Sequence, residues 1–159
     1  MAGRDELYAV LVSLASDTLL LPNAAVAEVV SSDGLDPPPE GAPPWLTGRV
    51  TYNNRQLLVV RFETLNGSAA AEDSRRTRLA ILQPVTTALR TGQYAVVCQG
   101  YPHLVTLNRP ALRKEALLSS DNEDAVITRV SIANTNALIP NLEKIEQLLA
   151  QYEAAPVIA

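Results

Sequence analysis

The stretch Gln56-Leu57-Leu58-Val59-Val60 constrains this chain more than any other. Four consecutive apolar residues leave no polar face, so a strand built from them needs cover on both sides. Just before it, Arg49-Val50-Thr51-Tyr52 reads as another strand, and Asn53-Asn54-Arg55 separates the two. Asparagine tolerates positive φ better than most residues, which lets Asn53-Asn54 supply a tight hairpin turn. A hairpin with one strand apolar on both faces belongs inside a closed sheet, not at an exposed edge.

Other segments repeat the pattern. Leu7 to Ser13 and Thr18 to Leu21 predict an N-terminal hairpin around Ala15-Ser16-Asp17, closed by Pro22-Asn23. Between Ala24 and Val30 the alanines favour a helical turn and the valines a strand; the segment is read as a turn entering a strand at about Glu28. Thr77 to Leu82, Gln93 to Gln99, His103 to Leu107, Val126 to Ala133 and Ala137 to Ile139 are further strands. Five of the eleven prolines fall between Asp36 and Pro44, which makes that segment a loop, and Trp45 behind it is expected to plug a core. Phe62 to Leu65 leads into an Asn66-Gly67 turn, Ser68 to Ser74 is a small polar crossing, and the tail Ala154-Ala155-Pro156 is expected to be loose. Only one segment is clearly helical. Asn141 stands as N-cap before Leu142, Ile145, Leu148, Leu149 and Tyr152 at helical spacing, which predicts a helix over 141–152. About eight to ten short strands with one terminal helix describe an all-β chain, either small barrels or a sandwich.

At 159 residues, 47% of them hydrophobic and 19% charged, the chain can bury a core of its own. A net charge of −4 argues against nucleic acid as the main partner. Arg75, Arg76 and Arg78 form the densest basic cluster and are read as a solvated loop leading into a strand. The single cysteine, Cys98, can form no internal disulfide and sits in an apolar run as a small buried hydrophobe. No run approaches the roughly 18 apolar residues of a membrane span, and Met1-Ala2-Gly3-Arg4-Asp5-Glu6 makes a poor secretory start, so the expected location is cytoplasmic. For the same reason Asn66-Gly67-Ser68 is read as a turn, not a glycosylation acceptor.

Catalytic signals are missing. His103 has no partner at a telling spacing, and one His with one Cys does not make a zinc shell, so no metal and no cofactor are expected. Asp121, Glu123 and Asp124 lack the alternating ligands and central glycine of a calcium loop. There is no phosphate loop, dinucleotide fingerprint or Gly-x-Ser-x-Gly turn. A thiol enzyme built on Cys98 with His103 as base is the enzymatic alternative, since such pairs are defined in space.

Taken in order, several segments resemble the CheW-like domain of chemotaxis coupling proteins and of the histidine kinases they serve. Leu19-Leu20-Leu21-Pro22-Asn23-Ala24-Ala25-Val26-Ala27-Glu28-Val29-Val30 is similar to the family's early strand and its Val-x-Glu-Val pattern. Pro43-Pro44-Trp45-Leu46-Thr47-Gly48 resembles the proline, bulky residue and glycine before the family's central hairpin, which Val50 to Phe62 then resembles. Tyr94 to Leu107 is similar to the later strand pair, and Ala137 to Ile145 to the last strand and its short helix. The likeness spans roughly residues 7 to 150.

The resemblance implies one domain over 1–159, made of two small SH3-like five-stranded barrels around a shared core. The first would cover about 18–67, and the second 76–140 with a strand from 7–14. It also implies a non-catalytic adaptor, monomeric in isolation, that couples a chemoreceptor to a histidine kinase regulatory domain. Val26, Glu28 and Val29 are then the expected kinase contacts and Asn53, Asn54 and Arg55 the expected receptor contacts. The chain departs from the family at the hairpin, where Thr51-Tyr52-Asn53-Asn54 replaces the usual Asn-Leu-Arg-Gly. Leu58 stands for the usual proline and Arg61 for the usual aspartate. Such divergence is more like the versions in type IV pilus (twitching) systems than the flagellar ones. From another class, the alternative is a stand-alone barrel holding a small ligand or peptide in the groove between its halves.

Overall fold

The computed structural model describes residues 7–67, 74–108, 112–132 and 134–153. Within them the order is β1 (Leu7–Ser13), β2 (Thr18–Pro22), a 3-10 turn (Asn23–Ala25), β3 (Val26–Ser31), β4 (Leu46–Tyr52), β5 (Arg55–Val60) and α1 (Phe62–Leu65). Then come β6 (Thr77–Leu82), β7 (Tyr94–Gln99), β8 (His103–Leu107), β9 (Leu112–Glu115), β10 (Val126–Ile132), β11 (Thr135–Pro140) and α2 (Leu142–Ala150). The expected crossing after Ser68 and the tail from Ala154 lie outside the described residues.

Two sheets result, in the orders β8-β1-β2-β11-β10-β9 and β3-β6-β7-β5-β4. Each encloses an apolar cluster of its own. Val50, Leu57, Val59, Leu79, Ile81, Ala95 and Val97 fill the five-stranded one. Ala9, Leu20, Leu107, Val130, Ile132 and Ala137 fill the other. Alternate residues of the same strands point the other way, into a third cluster between the sheets: Leu58, Val60, Ala80, Leu82, Val96, Cys98, Val10, Leu19, Leu21 and Leu138. Successive side chains on a strand face opposite sides, so three clusters over two sheets require strands apolar on both faces. This is why Leu57 to Val60 carries no polar position.

The architecture is the expected one, two small barrels around a shared core with a short C-terminal helix, except that one sheet has six strands. The division by chain position is corrected. Thr18–Pro22 pairs with β1 and β11, and β6 and β7 pair with β3 and β5, so the five-stranded sheet takes its strands from Val26 to Gln99. The reason lies in β2, whose Leu19 and Leu21 face the shared core while Leu20 faces the six-stranded sheet's interior. Trp45 is a half-buried lid and not a plug, its ring edge-on to Tyr152 at 5.8 Å. The helix starts as read: Asn141 Oδ1 accepts the Lys144 N–H at 3.1 Å.

The edges of the five-stranded sheet are tied across the proline loop. Asp36 and Arg49 exchange backbone hydrogen bonds of 2.9 and 3.0 Å, bringing the chain beyond β3 onto β4. Gly48 permits this approach, because a Cβ there would lie 2.5 Å from the Asp36 carbonyl oxygen.

Candidate functional site

β3 carries Val26, Glu28 and Val29, and a bulge between Val26 and Glu28 sets how they face. The extra residue lets Val26 and Val29, three apart, both pack against the shared core. Glu28 is thereby put on the opposite side with Val30, at the rim of the five-stranded barrel. Of the three expected kinase contacts, two are half-buried packing residues and only Glu28 is exposed.

The hairpin tip lies beside it. Asn53 and Asn54 take φ values of 50° and 64°, the paired left-handed conformation of a tight two-residue turn. Both are exposed, as is Arg55. Tyr52, the last residue of β4, links the tip to β3. Its phenol pKa is raised, first by desolvation and then by the charge and hydrogen bond of Glu28, while a hydrogen bond from Asn53 lowers it. The structure therefore joins two groups that the sequence places 25 residues apart into one face of Glu28, Tyr52, Asn53, Asn54 and Arg55. Sequence reasoning missed Tyr52. The available signal was its position before the turn, where a side chain meets the opposite barrel edge.

Side-chain hydrogen bonds fix several loops of the molecule, some of them beside this face. Arg55 Nη1 donates to the Thr91 carbonyl at 2.7 Å, and Gln56 Nε2 to Asp36 Oδ2 at 2.9 Å. The loop holding Thr91 is clasped in turn by two glutamates. Glu153 accepts the N–H groups of Arg90 and Thr91, and Glu146 of α2, fully buried, accepts those of Val85 and Thr86. Glu63 does the same for Ala15 and Ser16 in the β1–β2 turn. Asp121, in the acidic turn, is part of a further clasp: Arg129 reaches it at 2.7 Å and Asp17 at 2.8 Å, and Asn66 Nδ2 donates to it at 3.0 Å. The Arg129 hydrogen bond, above all, holds the Asp121 carboxyl well below the usual carboxylate range.

The thiol reading fails on environment. Cys98 is 1% exposed within the shared core, and desolvation pushes its pKa up to about 11, with Arg78 opposing weakly. At neutral pH it is a protonated thiol shut away from solvent. His103 stands exposed on β8. Among the described residues no three His, Cys, Asp or Glu side chains gather to hold a metal, and no helix is long and apolar enough to cross a membrane. The residues of the shared core pack between the two sheets, where the alternative reading places its ligand groove. A cleft of about 260 Å³ opens instead beside the hairpin, lined by Pro39, Arg49, Leu58 and Tyr152 among others.

Fold and site together define a twin β-barrel domain with a polar, hairpin-built face. The sequence matches the CheW-like domain over residues 9–149, and the chain belongs to that family. A crystal structure of the scaffolding protein TtCheW from Thermoanaerobacter tengcongensis has a similar fold, with a TM-score of 0.70 at 14% identity, covering 86% of this chain and 84% of that one. No curated protein matches.

Proposed function

We propose that this chain is a non-catalytic adaptor of a chemotaxis-type signalling system, acting as a single domain in the cytoplasm and joining a chemoreceptor to a histidine kinase. The observation that carries the reading is membership of the CheW-like family over nearly the whole chain. The face of Glu28, Tyr52 and Asn53 to Arg55 supports it, because charges and amides set at an apolar barrel rim suit a protein interface with a polar border. In this reading Glu28, with Val26 and Val29 packed behind it, contacts the kinase regulatory domain, and Asn53, Asn54 and Arg55 contact the receptor. The divergent hairpin favours a type IV pilus (twitching) system.

The test is retention on the tagged protein from native cytoplasm, with the bound proteins identified. Recovery of a chemotaxis kinase and a receptor is expected. Glu28→Lys then reduces kinase recovery, and the Asn53→Ala, Arg55→Ala double variant reduces receptor recovery, each with an unchanged thermal transition. Recovery of neither partner from cells that express both overturns the adaptor reading. Loss of the thermal transition in Glu28→Lys makes that residue structural.

A further inference from the structure

The proposed contacts leave one exposed region unexplained, at the opposite end of β7 from the hairpin. Among the described residues β8 is an outermost strand of its sheet, paired with β1 alone. Such an edge offers free N–H and C=O groups to any further strand. Among the described residues the other sheet edges are guarded. β3 and β4 meet through Glu28, Tyr52 and the Asp36–Arg49 pairing, and β9 presents the exposed charges Arg113, Lys114 and Glu115. β8 instead presents large apolar groups. Leu104 is 63% exposed and pairs with Val10, while Tyr8, 62% exposed, pairs with Thr106, so the two are diagonal neighbours on one face.

The strip runs on into a cationic patch. Tyr101, 65% exposed, lies under the Arg78 guanidinium at 5.9 Å. The Arg76 side chain lies over Gly100, whose N–H donates to the Arg76 carbonyl at 2.6 Å. Arg75 and Arg76 are both exposed, and none of the three arginines meets a carboxylate among the described residues. Three neighbouring cations stand out in a chain of net charge −4. They lie beside an edge that bears exposed aromatic and aliphatic groups.

We propose that β8, with Arg75, Arg76 and Arg78 at its head, is a docking edge for an extended acidic segment of a partner protein, which adds to the six-stranded sheet as a further strand. Main-chain hydrogen bonds to β8 supply the pairing. Apolar residues of the segment cover Leu104 and Tyr8, and its carboxylates meet the arginines. Nucleic acid would use the arginines but leave the apolar edge bare. The docking edge is separate from the Glu28 and Asn53–Arg55 face, so its test stands or falls apart from the adaptor reading.

The experiment is fluorescence anisotropy of the full chain with three labelled probes: an alternating glutamate–valine octapeptide, its lysine–valine counterpart and a single-stranded DNA oligonucleotide. The acidic peptide is expected to bind and the other two not. Arg75→Glu with Arg76→Glu should weaken the acidic peptide about tenfold or more, since each carboxylate then faces a like charge. Leu104→Asp should do the same, with thermal transitions matching the unsubstituted chain in both variants. No binding of the acidic peptide, equal binding of the two peptides, preference for the DNA, or indifference to both variants overturns the proposal.

Discussion

Replacing Glu146 by glutamine tests whether the clasped loop depends on a carboxylate or merely on a side chain of that shape. Both Glu146 oxygens are used: Oε2 accepts Val85 N–H at 2.8 Å, and Oε1 accepts Thr86 N–H at 2.9 Å and the Thr86 hydroxyl at 2.6 Å. A carboxylate is acceptor-only, whereas an amide brings an NH2 donor to one of these places. In glutamine one backbone N–H must face that donor, inside a site where Glu146 is fully buried. A buried donor left without an acceptor costs about 1–3 kcal/mol, and loss of a charge-assisted bond adds to that, so a destabilisation of about 2–4 kcal/mol is expected. For a domain of this size that lowers Tm by roughly 4–16 °C. Urea unfolding followed by Trp45 fluorescence measures it, with Glu143→Gln on the exposed side of α2 as comparison at under about 1 kcal/mol. If Glu146→Gln costs no more than Glu143→Gln, the clasp does not hold the loop and the account of Thr91 and Arg55 loses its foundation.

Gly48→Ala should break the Asp36–Arg49 pairing, because its Cβ would sit 2.5 Å from a backbone oxygen; a loss of about 2 kcal/mol or more in urea unfolding is expected, with fast amide exchange at Asp36 and Arg49. Asp121 should leave an acid signature. Its folded pKa lies below the ordinary value of 3.8, so its contribution to stability is complete above that pH and is lost as pH falls through the folded pKa. Asp121→Asn should therefore flatten the stability-versus-pH curve below about pH 4, and an unchanged curve would contradict the Arg129 clasp. Cys98 should resist iodoacetamide at pH 8 in the native protein and react after denaturation, because its pKa is about 11 and it is 1% exposed; rapid native labelling would place it outside the shared core.

Strand identity was largely legible because each barrel strand uses both faces, and a run such as Leu57 to Val60 announces this without tertiary information. The Asn53-Asn54 turn and the Asn141 cap were legible for a similar reason, since their chemistry is local. Sheet membership was not. Nothing in Thr18–Pro22 reveals that it will lie parallel to β11, whose Leu138 meets Leu19 across a separation of more than a hundred residues. β9 was invisible, because Leu112-Arg113-Lys114-Glu115 has a single apolar residue and owes its strand form to β10. The clasping glutamates were equally silent, since a carboxylate that will bind a distant loop's N–H groups looks in sequence like any surface acid. Glu28 was found through its apolar neighbours, yet its partner Tyr52 emerged only when the hairpin was closed against β3.

The parallel pairing of β2 with β11 also bears on how the chain is made. The strands of the five-stranded sheet all lie between Val26 and Gln99, inside a chain whose two outer parts supply the other sheet. During synthesis the inner barrel emerges whole, while the hairpin of β1 and β2 waits for the strands that complete its barrel. At about 5–20 residues per second, the interval between Pro22 and Pro140 leaving the ribosome is roughly six to twenty-five seconds. For that time Leu19, Leu20 and Leu21 have only part of their final cover, and the hairpin of β1 and β2 is the segment that most needs a chaperone.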